Sequence, residues 1–289
     1  MIAFGQAVQD YLAIRRALGT KLRDHDWMLG DFVAYLEAAG AVTLTTELAV
    51  AWARLPGVDA HPGYLSSRLS VVRGFARHFQ AFDPAAEVPP MHLLPTRSKR
   101  AVPYLYSEAE IAAVMGAARA LRPQLRATTY ATLIGLVATT GMRIGEAIAL
   151  DRDDVDLDEG LVTVWRSKFD KSRELVLHPS TTEALSAYVR ERDRLCPAPR
   201  DPSFLVSPAG TRLVYVTVRS NFARLLAQAS IKARSPRCRP RWHDLRHTFA
   251  CRVLLGWYRD GVDVDAHLPE LSTYLGHREP TKGTPTVFA

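Results

Sequence analysis

Apolar residues recur along most of this chain with the 3.6-residue period of amphipathic helices. Phe4, Val8, Tyr11 and Leu12 predict a first helix, and Leu29, Phe32, Val33 and Leu36 a second that closes at Gly40, where a glycine suits a helix C-terminus. Leu48, Ala51, Trp52 and Leu55 predict a third, halted by Pro56-Gly57. A fourth runs from about Tyr64 to Phe82, with Leu65, Leu69, Val72, Ala76 and Phe79 on its apolar face and Arg68, Arg73, Arg77 and His78 largely off it. Such a basic stripe reads either as a solvated face or as a phosphate-contacting one.

The pattern then lapses. From Asp83 to Pro103 there are five prolines and the basic cluster Arg97, Lys99 and Arg100, the composition of a linker. Periodicity resumes at Ser107-Glu108-Ala109-Glu110, an S-x-x-E capping box ahead of Ile111, Val114, Met115 and Ala118. A long helix is predicted over 128–139, broken by Gly141, and a new one starts near Arg143. The stretches 161–165 (LVTVW) and 174–177 (ELVL) flank a polar turn and predict a β-hairpin. Helices are predicted over 181–194, 216–229 and 243–258, and no internal repeat is visible. The expected fold is mainly α with a small antiparallel β-sheet, in two domains: a helical one at 1–90, a basic Pro-rich linker at 91–104 and a second domain at 105–289.

Composition narrows the function classes. With 47% hydrophobic residues in 289, a packed core is expected and disorder is not. No apolar run reaches the roughly 18 residues of a membrane helix; the stretch 128–140 is too short and reads as a buried core helix. The charged residues near the start follow a short apolar segment, the reverse of a secretory signal. Three cysteines, Cys196, Cys238 and Cys251, form no C-x-x-C pair, so a reduced, cytoplasmic setting is expected. The net charge of +7 suits a polyanionic partner, though equally a basic enzyme.

Candidate chemistry lies in four separated motifs of the second domain: Thr139–Leu150 (TTGMRIGEAIAL) with Arg143, Lys168 in the hairpin turn, His243-Asp244-Leu245-Arg246, and Leu275-Gly276-His277. Each alone has an ordinary explanation, since an arginine on a helix is commonly paired and a hairpin lysine commonly solvated. His243 and Arg246 share a helix face by their spacing of three. His243 and His247 stand at i, i+4, a spacing that can hold zinc, but Asp244 stands where H-E-x-x-H has Glu, so no metal is expected. The run 232–241 (KARSPRCRPR) has five basic residues and reads as a basic loop at the mouth of a site or as a flexible surface loop, which keeps a plain nucleic-acid binder in view.

In this order and spacing the motifs resemble the tyrosine recombinases of the phage-integrase family, closely over the last 180 or so residues and only by general shape over the helical N-terminal unit. The resemblance implies a helical, SAM-like core-binding DNA-binding domain followed by a catalytic domain, double-stranded DNA as partner, no membrane, no metal and no cofactor. It implies DNA cutting and rejoining through a phosphotyrosine, as in the integration or transposition of mobile elements. Arg143 and Arg246 would clamp the non-bridging oxygens of the phosphate, as guanidiniums do bidentately. Lys168 would protonate the leaving sugar oxygen, His243 would assist proton transfer and His277 would hydrogen-bond the phosphate. Arg68, Arg73, Arg77, Arg97, Lys99 and Arg100 are candidate backbone contacts. Glu146 and Asp244 are candidates for orienting the arginines, with helix capping or surface pairing as the alternative.

One departure stands out. The family's tyrosine lies nine residues beyond the Leu-Gly-His histidine, and here that position is Thr286; no tyrosine follows Tyr274, which reads as core. A threonine hydroxyl is a far poorer nucleophile than a phenol. The helix that in the family docks on a neighbouring protomer is not found either, so oligomerisation on DNA is in doubt. The expectation is a C-terminally truncated, cleavage-defective recombinase, or a catalytically inactive protein occupying recombination sites. A frameshift accounts for both losses: Thr284-Pro285-Thr286 can be encoded so that the preceding frame reads Asp-Thr-Tyr.

Overall fold

The computed structural model describes residues 3–20, 22–57, 59–94, 101–165 and 172–276. The chain divides into two compact units, Met1–Arg100 and Ala101–Ala289.

The first unit consists of α1 (Phe4–Ala17), α2 (Arg23–Ala38), α3 (Thr46–Arg54) and α4 (Pro62–Phe79). The Thr45 hydroxyl caps α3 by accepting from the Leu48 amide, and α4 begins with Pro62 at its first turn, where no amide is needed. Aromatic packing fills the core: Phe32 lies 5.0 Å from Trp52, and Phe75 stacks on Phe79 at 5.5 Å. The buried face of α4 is wider than its periodicity predicts, because Arg68, Val71 and Phe75 are buried along with Leu69 and Val72. Arg68, expected off the apolar face, is only 4% exposed. It lies four residues before Val72 and seven before Phe75, on their face of the helix. Its guanidinium stacks 3.8 Å from the Trp52 ring centroid and bonds Asp31 at 3.1 Å and the Trp52 carbonyl at 3.2 Å. Arg73 is spent differently, donating to the Pro89 and Pro90 carbonyls at 2.7 and 2.9 Å. Arg77 is exposed.

The second unit is mostly helical around a three-stranded antiparallel sheet. Its helices are α5 (Glu108–Arg119), α6 (Gln124–Thr140), α7 (Ile144–Ala149), α8 (Pro179–Leu195), α9 (Tyr215–Gln228), α10 (Trp242–Arg259) and α11 (Val264–Tyr274). The strands β1 (Val155–Asp156), β2 (Leu161–Val164) and β3 (Arg173–Val176) run in that order across the sheet, with Val162 opposite Leu175. The Ser107–Glu110 capping box opens α5 as the sequence suggests. Helix α6 begins at Gln124, ahead of the predicted start, and is buried on nearly all sides. It packs against α5, α8 and α10, which is why its sequence shows little amphipathicity. Among the described residues, elements that escaped the sequence reading include β1, at two residues too short to show a period, and α11, whose interior Pro269 disguises it.

Candidate functional site

The site grows from the end of α6. Thr140 gives way to Gly141 in the left-handed conformation (φ +63°), and a Cβ there would meet Leu275 Cδ2 and Phe249 Cγ, each at 3.0 Å. Glycine is required both by the backbone angle and by the space. The bend sets Arg143 at the N-cap of α7. Glu146, one turn on, accepts from the Arg143 amide at 2.8 Å and from its Nη1 at 2.7 Å, and Arg143 Nη2 donates to the Gly276 carbonyl at 3.0 Å.

Arg246 comes from α10 and is 3% exposed. Its Nη1 donates to the Gly141 carbonyl at 2.9 Å and its Nη2 to the Leu275 carbonyl. Arg143 and Arg246 therefore meet over the same turn, residues 274–276. Burial first, then the charge of Arg143, and further on that of Arg173, pull the Arg246 guanidinium down to about 9, against the opposing charge of Glu146. It remains a cation at neutral pH.

His243 sits one turn before Arg246 and is exposed. Desolvation by the packing beneath it, then His247 and Arg246, push it down to about 4, so it is neutral at pH 7. The His243 and His247 rings are edge-on at 4.7 Å. Asp244, fully buried, accepts from Arg241 Nε and Nη2 at 3.0 and 2.9 Å. Of the two acids proposed to orient arginines, Glu146 bonds Arg143, whereas Asp244 bonds Arg241. Tyr274 is half-buried and stacks on Phe249 at 5.8 Å; burial raises its phenol.

The sequence reading missed Arg173. Its Nη1 and Nη2 bond Glu146 Oε1 and Oε2 at 3.2 and 2.8 Å, and its Nε donates to the Tyr274 carbonyl at 2.8 Å. A signal was available: Arg173 lies two residues from the buried Leu175, on the inward face of β3. Burial would raise the Glu146 carboxyl, but the hydrogen bond from Arg173 and those from Arg143 win and hold it below the usual carboxylate range.

Lys168, His277, Thr286, Arg97, Lys99 and Arg100 lie outside the described residues. In the basic loop, Arg234 stacks 4.3 Å over Tyr104 and donates to the Leu105 carbonyl, while Lys232 and Arg239 are exposed. Among the described residues, no three His, Cys, Asp or Glu side chains gather as a metal site, and no helix is long and apolar enough to cross a membrane.

Comparison with known proteins gives a consistent result. The profile of the phage integrase family matches residues 105–282. A Sinorhizobium fredii protein that carries an integrase/recombinase name, y4rB, is 43% identical over 283 residues, covering 96% of this chain and 90% of its own length. The tyrosine recombinase XerD of Caulobacter vibrioides is 26% identical over 279 residues, with 96% and 82% coverage. Among solved structures, the Tn1549 transposon integrase in complex with circular intermediate DNA aligns with a TM-score of 0.67 at 17% identity, over 98% of this chain and 94% of its own. A lambda integrase dimer bound to a COC′ core site aligns at 0.63 and 18%, with 96% of each chain covered. At those identities the two structures speak to the fold alone.

Proposed function

The chain belongs to the phage integrase family, and on that premise we propose that its second unit grips a DNA phosphodiester between Arg143 and Arg246, as a site-specific recombinase does, but forms no covalent bond to it through Thr286. The observation that carries this reading is the convergence of the two guanidiniums, from α7 and α10, on adjacent carbonyls, Gly276 and Leu275. Three guanidiniums, those of Arg143, Arg173 and Arg246, crowd around the one carboxylate of Glu146. The excess positive charge is what an anionic phosphate would neutralise.

In this reading Arg143 and Arg246 stabilise the charge on the non-bridging oxygens of the pentavalent state. His243, neutral at pH 7, is in the form that can accept a proton. Lys168 supplies the proton to the leaving sugar oxygen and His277 a hydrogen bond, on their match to the family's motif. The polypeptide is organised as a helical DNA-binding domain at 1–90, a basic linker at 91–104 and a catalytic domain at 105–289. Exposed Arg77 is the best placed of the helical candidates to meet the DNA backbone, since Arg68 is consumed inside the core and Arg73 by two carbonyls. The partner is double-stranded DNA in the cytoplasm, where three free thiols are at home.

The test is incubation with a pool of nicked duplexes of randomised sequence. The expected result is binding that weakens steeply with salt and no detergent-resistant protein–DNA adduct. Arg143→Ala should lower affinity by several-fold more than Arg77→Ala. An adduct would show that the chain carries a working nucleophile after all; no binding at low salt would remove the DNA reading altogether.

A further inference from the structure

Two like charges that are to hold one phosphate must be kept close against their own repulsion. At the end of α11 three consecutive carbonyls are each taken by a guanidinium from a different element. Tyr274 O accepts from Arg173 of β3 at 2.8 Å, Leu275 O from Arg246 of α10, and Gly276 O from Arg143 at the head of α7 at 3.0 Å. The last carbonyls of a helix lack intrahelical donors and carry partial negative charge, so they suit cations.

Arg173 is bound by the protein through its whole guanidinium. All three of its guanidinium nitrogens are engaged by groups of the protein, two on Glu146 and one on Tyr274, and its side chain is 12% exposed. Glu146 is the same carboxylate that fixes Arg143 through Nη1 and the backbone amide. Arg173 thus bonds the two groups that determine where Arg143 points: the carboxylate beside it and the helix end in front of it. It also bears on the glycine of Leu-Gly-His. A Cβ on Gly276 would meet Arg173 Nη1 at 2.9 Å and Cζ at 3.2 Å, so this glycine is required by the guanidinium packed on it as well as by its φ of +69°.

We infer that Arg173 is a positioning residue, which locks Glu146 and the end of α11 in place and so holds Arg143 at the distance from Arg246 that a phosphate needs. The inference rests on the phosphate-pocket reading above. Lysine cannot replace it, because a point charge cannot serve a side-on carboxylate and a carbonyl at once.

The experiment titrates inorganic phosphate into the full chain and follows the guanidinium ¹⁵N resonances of Arg143 and Arg246. Both are expected to respond in the unaltered protein. Arg173→Lys should weaken phosphate binding by about tenfold, and the same substitution in an Arg143→Ala background should change it hardly at all, since the effect passes through Arg143. Equal affinity before and after Arg173→Lys, or losses that add in the two backgrounds, overturn the positioning role while leaving the pocket standing. Should Arg173→Lys fail to fold by thermal melting, Arg173→Gln takes its place in the same two backgrounds. A loss confined to the chain that keeps Arg143 supports the inference, and unchanged affinity or additive losses overturn it. No response at either guanidinium in the unaltered chain overturns the pocket itself, and the role of Arg173 falls with it.

Discussion

Arg68 in the first unit and Arg246 in the second are both buried almost completely, and for opposite ends. Arg68 in the first unit is 4% exposed and Arg246 in the second is 3% exposed. Arg68 faces an aromatic ring and the carboxylate of Asp31, partners that compensate a cation taken out of water. Arg246 donates to two backbone carbonyls, and its pKa falls to about 9, by burial first and then by the charges of Arg143 and Arg173, which outweigh the one carboxylate of Glu146. A compensated cation stabilises its fold. A cation held among like charges opposes its own folding, and an anion that enters later is bound more strongly for it. Burial alone would have classed the two together; the partners separate them.

The strongest way to break the second arrangement is Gly141→Ala. Alanine in the left-handed region costs about 1–2 kcal/mol. The added methyl must also displace Leu275 and Phe249, which adds roughly 1–3 kcal/mol of overpacking. Urea unfolding should show a loss of about 3 kcal/mol. Because Gly141 also supplies the carbonyl that holds Arg246 Nη1, phosphate binding should weaken in the fraction that remains folded. A loss below about 1 kcal/mol would mean that the bend tolerates a side chain and does not define the site.

Replacing Arg68 and Arg246 in turn by methionine tests the comparison directly. Arg68→Met removes the cation–π contact and a charge-assisted bond and should cost about 2 kcal/mol. Arg246→Met removes, among its bonds, those to the Gly141 and Leu275 carbonyls, but relieves the crowding of like charges, as apolar replacement of buried ions commonly does. It should cost less than half as much while abolishing the phosphate response. If the two substitutions destabilise equally, the distinction between a structural and a ligand-facing arginine disappears.

Much of this was legible in the sequence. Helix periods placed the helices of both units except α11, and the alternation around Val162 and Leu175 located β2 and β3. Arg143, His243 and Arg246 could be named from their motifs because the bend at Gly141 and the helix face of His-x-x-Arg are local features. What could not be read is long-range. Arg68 looked like a surface charge because its compensation comes from Trp52 and Asp31, on other helices. Arg173 looked like an ordinary strand residue because Glu146 and Tyr274 reach it only after folding. Nothing in a linear pattern shows that three carbonyls at one helix end will meet three arginines from three elements.

The smallest expected effect is the most specific, because it reads the field of Arg246 at a neighbouring group. His243 has an ordinary pKa of 6.5 and is held at about 4 in the fold, by desolvation first and then by His247 and Arg246. Between those values the unfolded chain binds a proton that the folded chain does not, so unfolding becomes easier as pH falls. The contribution is absent as a penalty above pH 6.5 and is fully felt once pH has dropped through about 4. The melting temperature should therefore decline between pH 6.5 and 4.5, and His243→Gln, which cannot titrate, should flatten part of that decline. Arg246→Met should flatten it too, less strongly, because removing one neighbouring cation lets the imidazole rise partway toward its ordinary value while desolvation and His247 still depress it. Were His243→Gln to leave the slope unchanged, His243 would be an ordinary solvated histidine, and the positive field ascribed to the paired guanidiniums would not reach the ring beside them.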